Sequence, residues 1–311
     1  APVLHAAPGI SLNGLLNSPA DRALLVQDLH TLAISGGYYG FTLDYPTLDP
    51  ADRQAFTQFV QELAADLHSI NRALLVILPR PAGGPGSWDT DAYDWQAIGA
   101  AADLVILSPG DEPAAYAISG EAIDLLGWAV GEVARSKLML AFSAQSVEAT
   151  TGTLLSYDQA VALLGGVQVG TPLPEGAAAF EPGTDLAFLL SDRVTDVSAD
   201  QATGAYVYTL NDEAGQRRIW IVTASTVRAR LDMASAFNIA GMVINGLGAE
   251  GGDPGLPVVL NEFKARAASS VPSELVVQWT VSDASGALLS ERTGLGTPWV
   301  WRADAAGSYM V

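Results

Sequence analysis

For most of its 311 residues the chain alternates short apolar runs with amphipathic helical runs, and this rhythm is what most narrows its fold. A strand covered on both faces reads as a continuous apolar stretch, whereas the helix that covers it reads at a 3.6-residue period. The alternation therefore predicts an α/β protein built on a parallel sheet.

The first helix is signalled by Ser18 as N-cap, Pro19 in the first turn and Asp21 at the positive helix end. Leu24, Leu25, Leu29, Leu32 and Ala33 then recur as one buried stripe, and Gly36-Gly37 ends the run. A strand over 39–45 follows. Asp49-Pro50 opens a second helix in which Phe56, Phe59, Val60, Leu63 and Leu67 share a face. The apolar strand 74–78 stops at Pro79 and Pro81, and a loop rich in Gly and Pro carries Trp88. Helix 95–101, strand 104–107, helix 121–133 and strand 138–142 repeat the pattern. Polar residues and loops gather at the strand ends, as they do at a barrel mouth.

From about residue 146 to 222 the rhythm changes. A short helix near 157–164 precedes a loop-rich stretch, then β-like alternation at 205–210 and 218–222 flanks the turn residues 211–215, which predict a hairpin. This reads as an α+β insertion. Helix 225–237, strand 239–244 and helix 258–267 resume the first pattern. Residues 269–273 read as a linker between a first domain, 1–268, and a partial β-sandwich, Ig-like module, 273–311. That module is too short to bury two sheet faces alone, so it is expected to lean on a neighbour or to continue beyond Val311. Trp299 and Trp301 fall on one of its faces, more in keeping with a core or an interface than a glycan platform.

Charge excludes some partners. With 34 acidic residues against 15 basic ones the net charge is −19, a field that repels nucleic acid and anionic lipid heads. No run of about 18 uncharged apolar residues is present, so no membrane span is expected. The chain has no cysteine, which excludes disulfides, thiolate nucleophiles and cysteine metal sites. His5, His30 and His68 are scattered, so neither a metal site nor a cofactor is expected.

The segment Gly36-Gly37-Tyr38-Tyr39-Gly40-Phe41-Thr42-Leu43-Asp44-Tyr45-Pro46, with the helix carrying Asp52 to Phe56, resembles glycoside hydrolase family 18 in its chitinase-like and spore-germination branch. Three further segments resemble that family in the same order: 93–99 with 103–111, Lys137-Leu138-Met139-Leu140, and the run from Ile219 through Met242 to Gly248. The resemblance covers roughly residues 1–264 and implies a TIM (β/α)8-type barrel. Residues 2–5 would then correspond to the family's third strand, placing two βα units upstream of Ala1 or on another segment or protein partner.

The resemblance also implies where the chemistry would sit. The family's fourth strand carries Asp-Gly-x-Asp-x-Asp-x-Glu, in which the Glu protonates the glycosidic oxygen and the preceding Asp steers the substrate's acetamido group. Those acidic positions fall on Tyr39, Thr42, Asp44 and Pro46, so only Asp44 is acidic here. Pro46 has no titratable group. The family's Met-x-Tyr-Asp keeps only its Asp, as Asp111, and the Trp that floors the sugar site is replaced by Asn245. The expectation drawn from these departures is a catalytically silent barrel acting as an extracellular or cell-surface scaffold of bacterial type. A lectin-like binder of a chitin- or peptidoglycan-like glycan, or an active glycosidase with non-standard carboxylates, are the alternatives. Ligand-binding candidates are Asp44, Tyr45, Trp88, Asp111 and Asn245, with Glu112 and Tyr116 beside them. For Asp44 a vestigial ligand contact stands against a buried structural acid; for Asp111 and Glu112 a site stands against a solvated loop.

Overall fold

The apolar runs foreseen as strands become one six-stranded parallel sheet, and the element between two of them becomes a separate antiparallel one. The computed structural model describes residues 1–6, 12–117, 120–165, 168–169, 171–172, 175–176, 185, 188–189, 193–200, 203–213, 215–269, 277–294 and 307–310. It divides into two compact units, 1–256 and 257–311.

The first unit opens with β1 (Val3–Leu4), α1 (Asn13–Asn17), α2 (Pro19–Ser35) and β2 (Gly40–Asp44). It continues with α3 (Arg53–Ser69), β3 (Ala73–Leu78), α4 (Trp95–Ala101), β4 (Leu104–Leu107), α5 (Glu121–Glu132) and β5 (Leu138–Ser143). The insertion supplies β6 (Ser146–Glu148), β7 (Thr153–Leu155), α6 (Tyr157–Ala162), β8 (Gln168–Val169) and β9 (Phe188–Leu189). It ends with β10 (Val194–Asp200), β11 (Ala205–Asp212) and β12 (Gly215–Ile221), after which α7 (Ala224–Ala236) and β13 (Gly241–Asn245) return to the parallel sheet. Its order is β1-β2-β3-β4-β5-β13, so all crossovers but the last follow the chain directly. This is a TIM-barrel-type arrangement in which six parallel strands pair among the described residues, with β1 and β13 at the edges.

Local chemistry explains the frame. Ser18 caps α2 by accepting from the Asp21 N–H at 3.3 Å, with Pro19 in the first turn as read from the sequence. Phe56, Phe59, Val60, Leu63 and Leu67 of α3 are all buried, and each side chain of this size contributes about 1.5–3 kcal/mol by leaving water. A Cβ on Gly40 would stand 1.9 Å from the Ala73 carbonyl oxygen, so β2 can start against β3 only with glycine there. Lys137 donates to the carbonyls of Gly99, Ala100 and Ala102 at 2.8–3.2 Å, closing the C-terminal end of α4 where a cation suits the helix dipole.

The stripe read on α2 needs correction. Leu29 and Ala33 are buried, but Leu24 is 58% and Leu32 43% exposed, and Arg22 takes an inward place instead. Arg22 reaches Glu62 of α3 through two bonds of 3.2 Å and the Leu16 carbonyl at 2.6 Å. Periodicity marks the apolar side of a helix but not which part of it a neighbour covers, and α2 packs against α1 and α3. The opposite edge behaves alike: Met242, Val243 and Ile244 of β13 are only half-buried.

The α+β insertion forms a five-stranded antiparallel sheet in the order β10-β11-β12-β6-β7, with β11 and β12 joined by the foreseen hairpin. Ala160, Tyr208, Leu210, Ile219 and Ile221 form its core on the α6 side. Strands β6, β7 and β10, and helix α1, had no clear signal in the sequence. In the second unit, α8 (Leu256–Ser269) precedes β14 (Val277–Asp283), β15 (Leu288–Gly294) and β16 (Tyr309–Met310), an antiparallel sheet in the order β15-β14-β16. Trp299 and Trp301 lie outside the described residues. No helix is long and apolar enough to cross a membrane among the described residues.

Candidate active site

In a parallel sheet with helical crossovers the C-terminal strand ends and their loops form the mouth where binding groups converge. Asp44 ends β2 on the face it shares with Gly40 and Thr42, because strand side chains alternate. The parallel register pairs Leu4 with Leu43, so His5 arrives opposite Asp44. Their side chains meet: His5 Nδ1 lies 3.3 Å from Asp44 Oδ2. The pair lines a cavity of about 530 Å³ with Leu12, Asn13, Tyr45, Leu48, Asp49 and Asp52.

The neighbouring acids in this cavity have structural work. Asp52, only 2% exposed, accepts from the Asn13 and Asn17 amides at 2.7 and 2.6 Å and so ties α1 to the start of α3. Asp49 Oδ1 accepts from the Ala51 N–H at 2.9 Å and caps the turn before α3. Tyr45 packs edge-on against Phe56, and its carbonyl accepts from the Tyr93 hydroxyl at 2.5 Å. Burial raises the Tyr45 phenol above its usual range. Tyr93 is pushed up to about 12, mainly by burial and further by the charges of Asp91 and Asp44. Both phenols stay protonated and act as packing and positioning groups.

The other candidates lie elsewhere on the mouth. Asp111 leans toward β5, where its Oδ1 accepts from the Ser143 N–H at 3.2 Å. From β2 to β5 is three strand spacings, roughly 14 Å along the sheet. Arg230 of α7, fully buried, fixes this corner by donating to the Ser143 carbonyl at 2.6 Å and the Asp111 carbonyl at 2.9 Å. Its guanidinium lies 4.4 Å from the Tyr116 ring centroid, and the Tyr116 hydroxyl donates to the Gly110 carbonyl at 2.7 Å. Burial lowers the Arg230 pKa and raises that of Tyr116. Glu112 is exposed. Trp88 packs on Trp128 of α5 with centroids 6.0 Å apart, which anchors its loop. Asn245 ends β13 with its side chain exposed and its carbonyl accepting from the Ala144 N–H at 2.9 Å.

The structure therefore brings Asp44 and Tyr45 into one cavity and leaves Trp88, Asp111 and Asn245 outside its lining. Sequence reading missed His5 and Arg230. His5 could have been found from its place at the end of a strand parallel to β2; a lone arginine on a helix gives no such signal. His30 and His68 are hydrogen-bonded to Asp66 and Asp103 at 2.8 and 2.9 Å. Among the described residues no cluster of three or more metal-ligating side chains forms.

The fold agrees with those of known proteins. No family model matches the chain. The crystal structure of a chitinase from Chromobacterium violaceum superposes with a TM-score of 0.61 at 21% identity, covering 85% of this chain and 79% of that one. The cortical fragment-lytic enzyme of Bacillus subtilis is 25% identical over 238 residues, 73% of this chain and 51% of that protein. The glycosylase YvbX of the same organism is 23% identical over 246 residues, 76% of this chain and 65% of that protein. The chain is glycoside hydrolase family 18-like. It spans less than two thirds of either curated relative. Relatives named as a glycosylase and a lytic enzyme point to an enzyme, and they overturn the expectation of a catalytically silent chain. That expectation rested on one lost Glu, one lost Tyr and one lost Trp, which describes a departure from a motif and not the capacity of the groups that remain.

Proposed function

We propose that this protein hydrolyses glycosidic bonds in a chitin- or peptidoglycan-like glycan, at the Asp44 side of the barrel mouth, outside the cell or at its surface. The observation that carries the reading is the cavity at the ends of β1 and β2, in which Asp44 Oδ1 has no protein partner among the described residues. A free carboxylate oxygen beside a polar cavity can take a sugar amide or hydroxyl, or steady developing positive charge. The names of the glycosylase and chitinase relatives support a glycan as substrate. The half-exposed apolar edges β1 and β13 support a further segment or protein partner lying against them. The β14–β16 sheet supports an Ig-like module at the C-terminal end.

Incubation of the chain with soluble chitin oligosaccharides and peptidoglycan fragments, read by mass spectrometry for new reducing ends, tests the reading. New reducing ends, lost in Asp44→Asn, are expected. Binding without cleavage, or no binding, overturns it.

A further inference from the structure

We infer that His5, beside Asp44, is the group that protonates the leaving glycosidic oxygen; the inference rests on the hydrolase reading above and names its acid. A strand-borne acid two residues beyond Asp44 would stand on the same face of β2, and that position is Pro46, which cannot give a proton. The neighbouring strand supplies one instead. His5 stands directly across from Asp44, one strand spacing away, and its Nδ1 faces Asp44 Oδ2 at 3.3 Å. A carboxylate 3.3 Å from one imidazole nitrogen, in contact without hydrogen-bond geometry, favours the imidazolium through its charge and leaves the other nitrogen free to work. Here that nitrogen is Nε2, which has no protein partner among the described residues, and the His5 side chain is 58% exposed at the cavity wall.

The remaining titratable groups of the cavity serve less well. Asp52 is buried under two amide donors, Asp49 caps a turn, burial raises the Tyr45 phenol, which packs on Phe56, and the Tyr93 phenol behind it, at about 12, spends its proton on a carbonyl. In the step, the bond from the anomeric carbon to the leaving oxygen breaks with its electron pair staying on that oxygen, which takes the Nε2 proton. Water then forms the new bond to the anomeric carbon and returns one proton to Nε2. The sum is hydrolysis, with His5 restored and Asp44 a positioning residue toward it.

The experiment compares the whole chain with its His5→Gln and His5→Glu variants on two substrates, chitotetraose and 4-nitrophenyl diacetylchitobioside. The nitrophenolate leaves without a proton, so only the first substrate needs the acid. His5→Gln is expected to lose about 10²–10⁴-fold on chitotetraose and less than about tenfold on the aryl glycoside. His5→Glu, which again carries a proton, is expected to recover part of the chitotetraose loss. Equal losses on both substrates, with no recovery in His5→Glu, would assign His5 to packing or binding and overturn the inference. So would unchanged turnover in His5→Gln. Absence of turnover by the unaltered chain on either substrate would overturn the hydrolase reading and the inference with it, and that result is read before any variant is.

Discussion

Two corners of one barrel mouth carry the two acids that the resemblance singled out, and they are held in opposite ways. At the β1–β2 corner, among the described residues, Asp44 pairs with a half-exposed histidine through one oxygen and has no protein partner on the other. At the β4–β5 corner Asp111 accepts from the Ser143 N–H, while its carbonyl and that of Ser143 are clamped by a guanidinium with no solvent exposure. The first corner is exposed, polar and lined by a cavity. The second is a packed joint between α7, β5 and the loop after β4. Two carboxylates singled out by one resemblance therefore differ in bonding: one faces a cavity and the other is tied into a packed joint.

The largest expected effect lies at the joint. Arg230→Met leaves one buried and one half-buried carbonyl without this donor and should lower stability by about 3–5 kcal/mol in urea unfolding. A change under about 1 kcal/mol would erase the contrast between the corners. Asp52→Ala, which removes the buried carboxylate that accepts from the Asn13 and Asn17 amides, should cost about 1–3 kcal/mol by the same measurement. Tyr116→Phe removes one bond to the Gly110 carbonyl and should cost about 1 kcal/mol. At the exposed corner, His5→Gln should shift stability by no more than about 1 kcal/mol, because a polar contact open to water contributes little.

Alkaline pH sharpens the same picture. The Tyr93 phenol titrates near 12 in the folded chain and near 10 when unfolded, so the unfolded chain releases its proton first. The stabilisation present below pH 10 is therefore lost as pH rises from about 10 to 12. Tyr93→Phe should flatten the fall of melting temperature across that window, and an unchanged slope would contradict the burial of this phenol.

Much of the frame was legible in the sequence because it is periodic. The α3 face, the apolar strands and the β11–β12 hairpin follow from spacing and turn residues alone. The α2 stripe differs from its reading because apolar spacing does not say which part of a helix its neighbours cover. The insertion was legible as a change of rhythm, while β6 and β7, three residues each, are too short to carry a period. At the site, Asp44 could be placed by its motif, but His5 is a tertiary neighbour 39 positions earlier, joined to it by strand register. Arg230 is a charge whose burial is settled only by the three elements that close around it.

The most direct test of the central claim is the ratio of kcat/KM for Asp44→Asn and Asp111→Asn on chitotetraose, each against the unaltered chain. The account predicts a loss of about 100-fold or more for Asp44→Asn and a change within about threefold for Asp111→Asn, whose amide oxygen still accepts from the Ser143 N–H. Equal losses, or the larger loss at Asp111, would place the chemistry at the β4–β5 corner and contradict it.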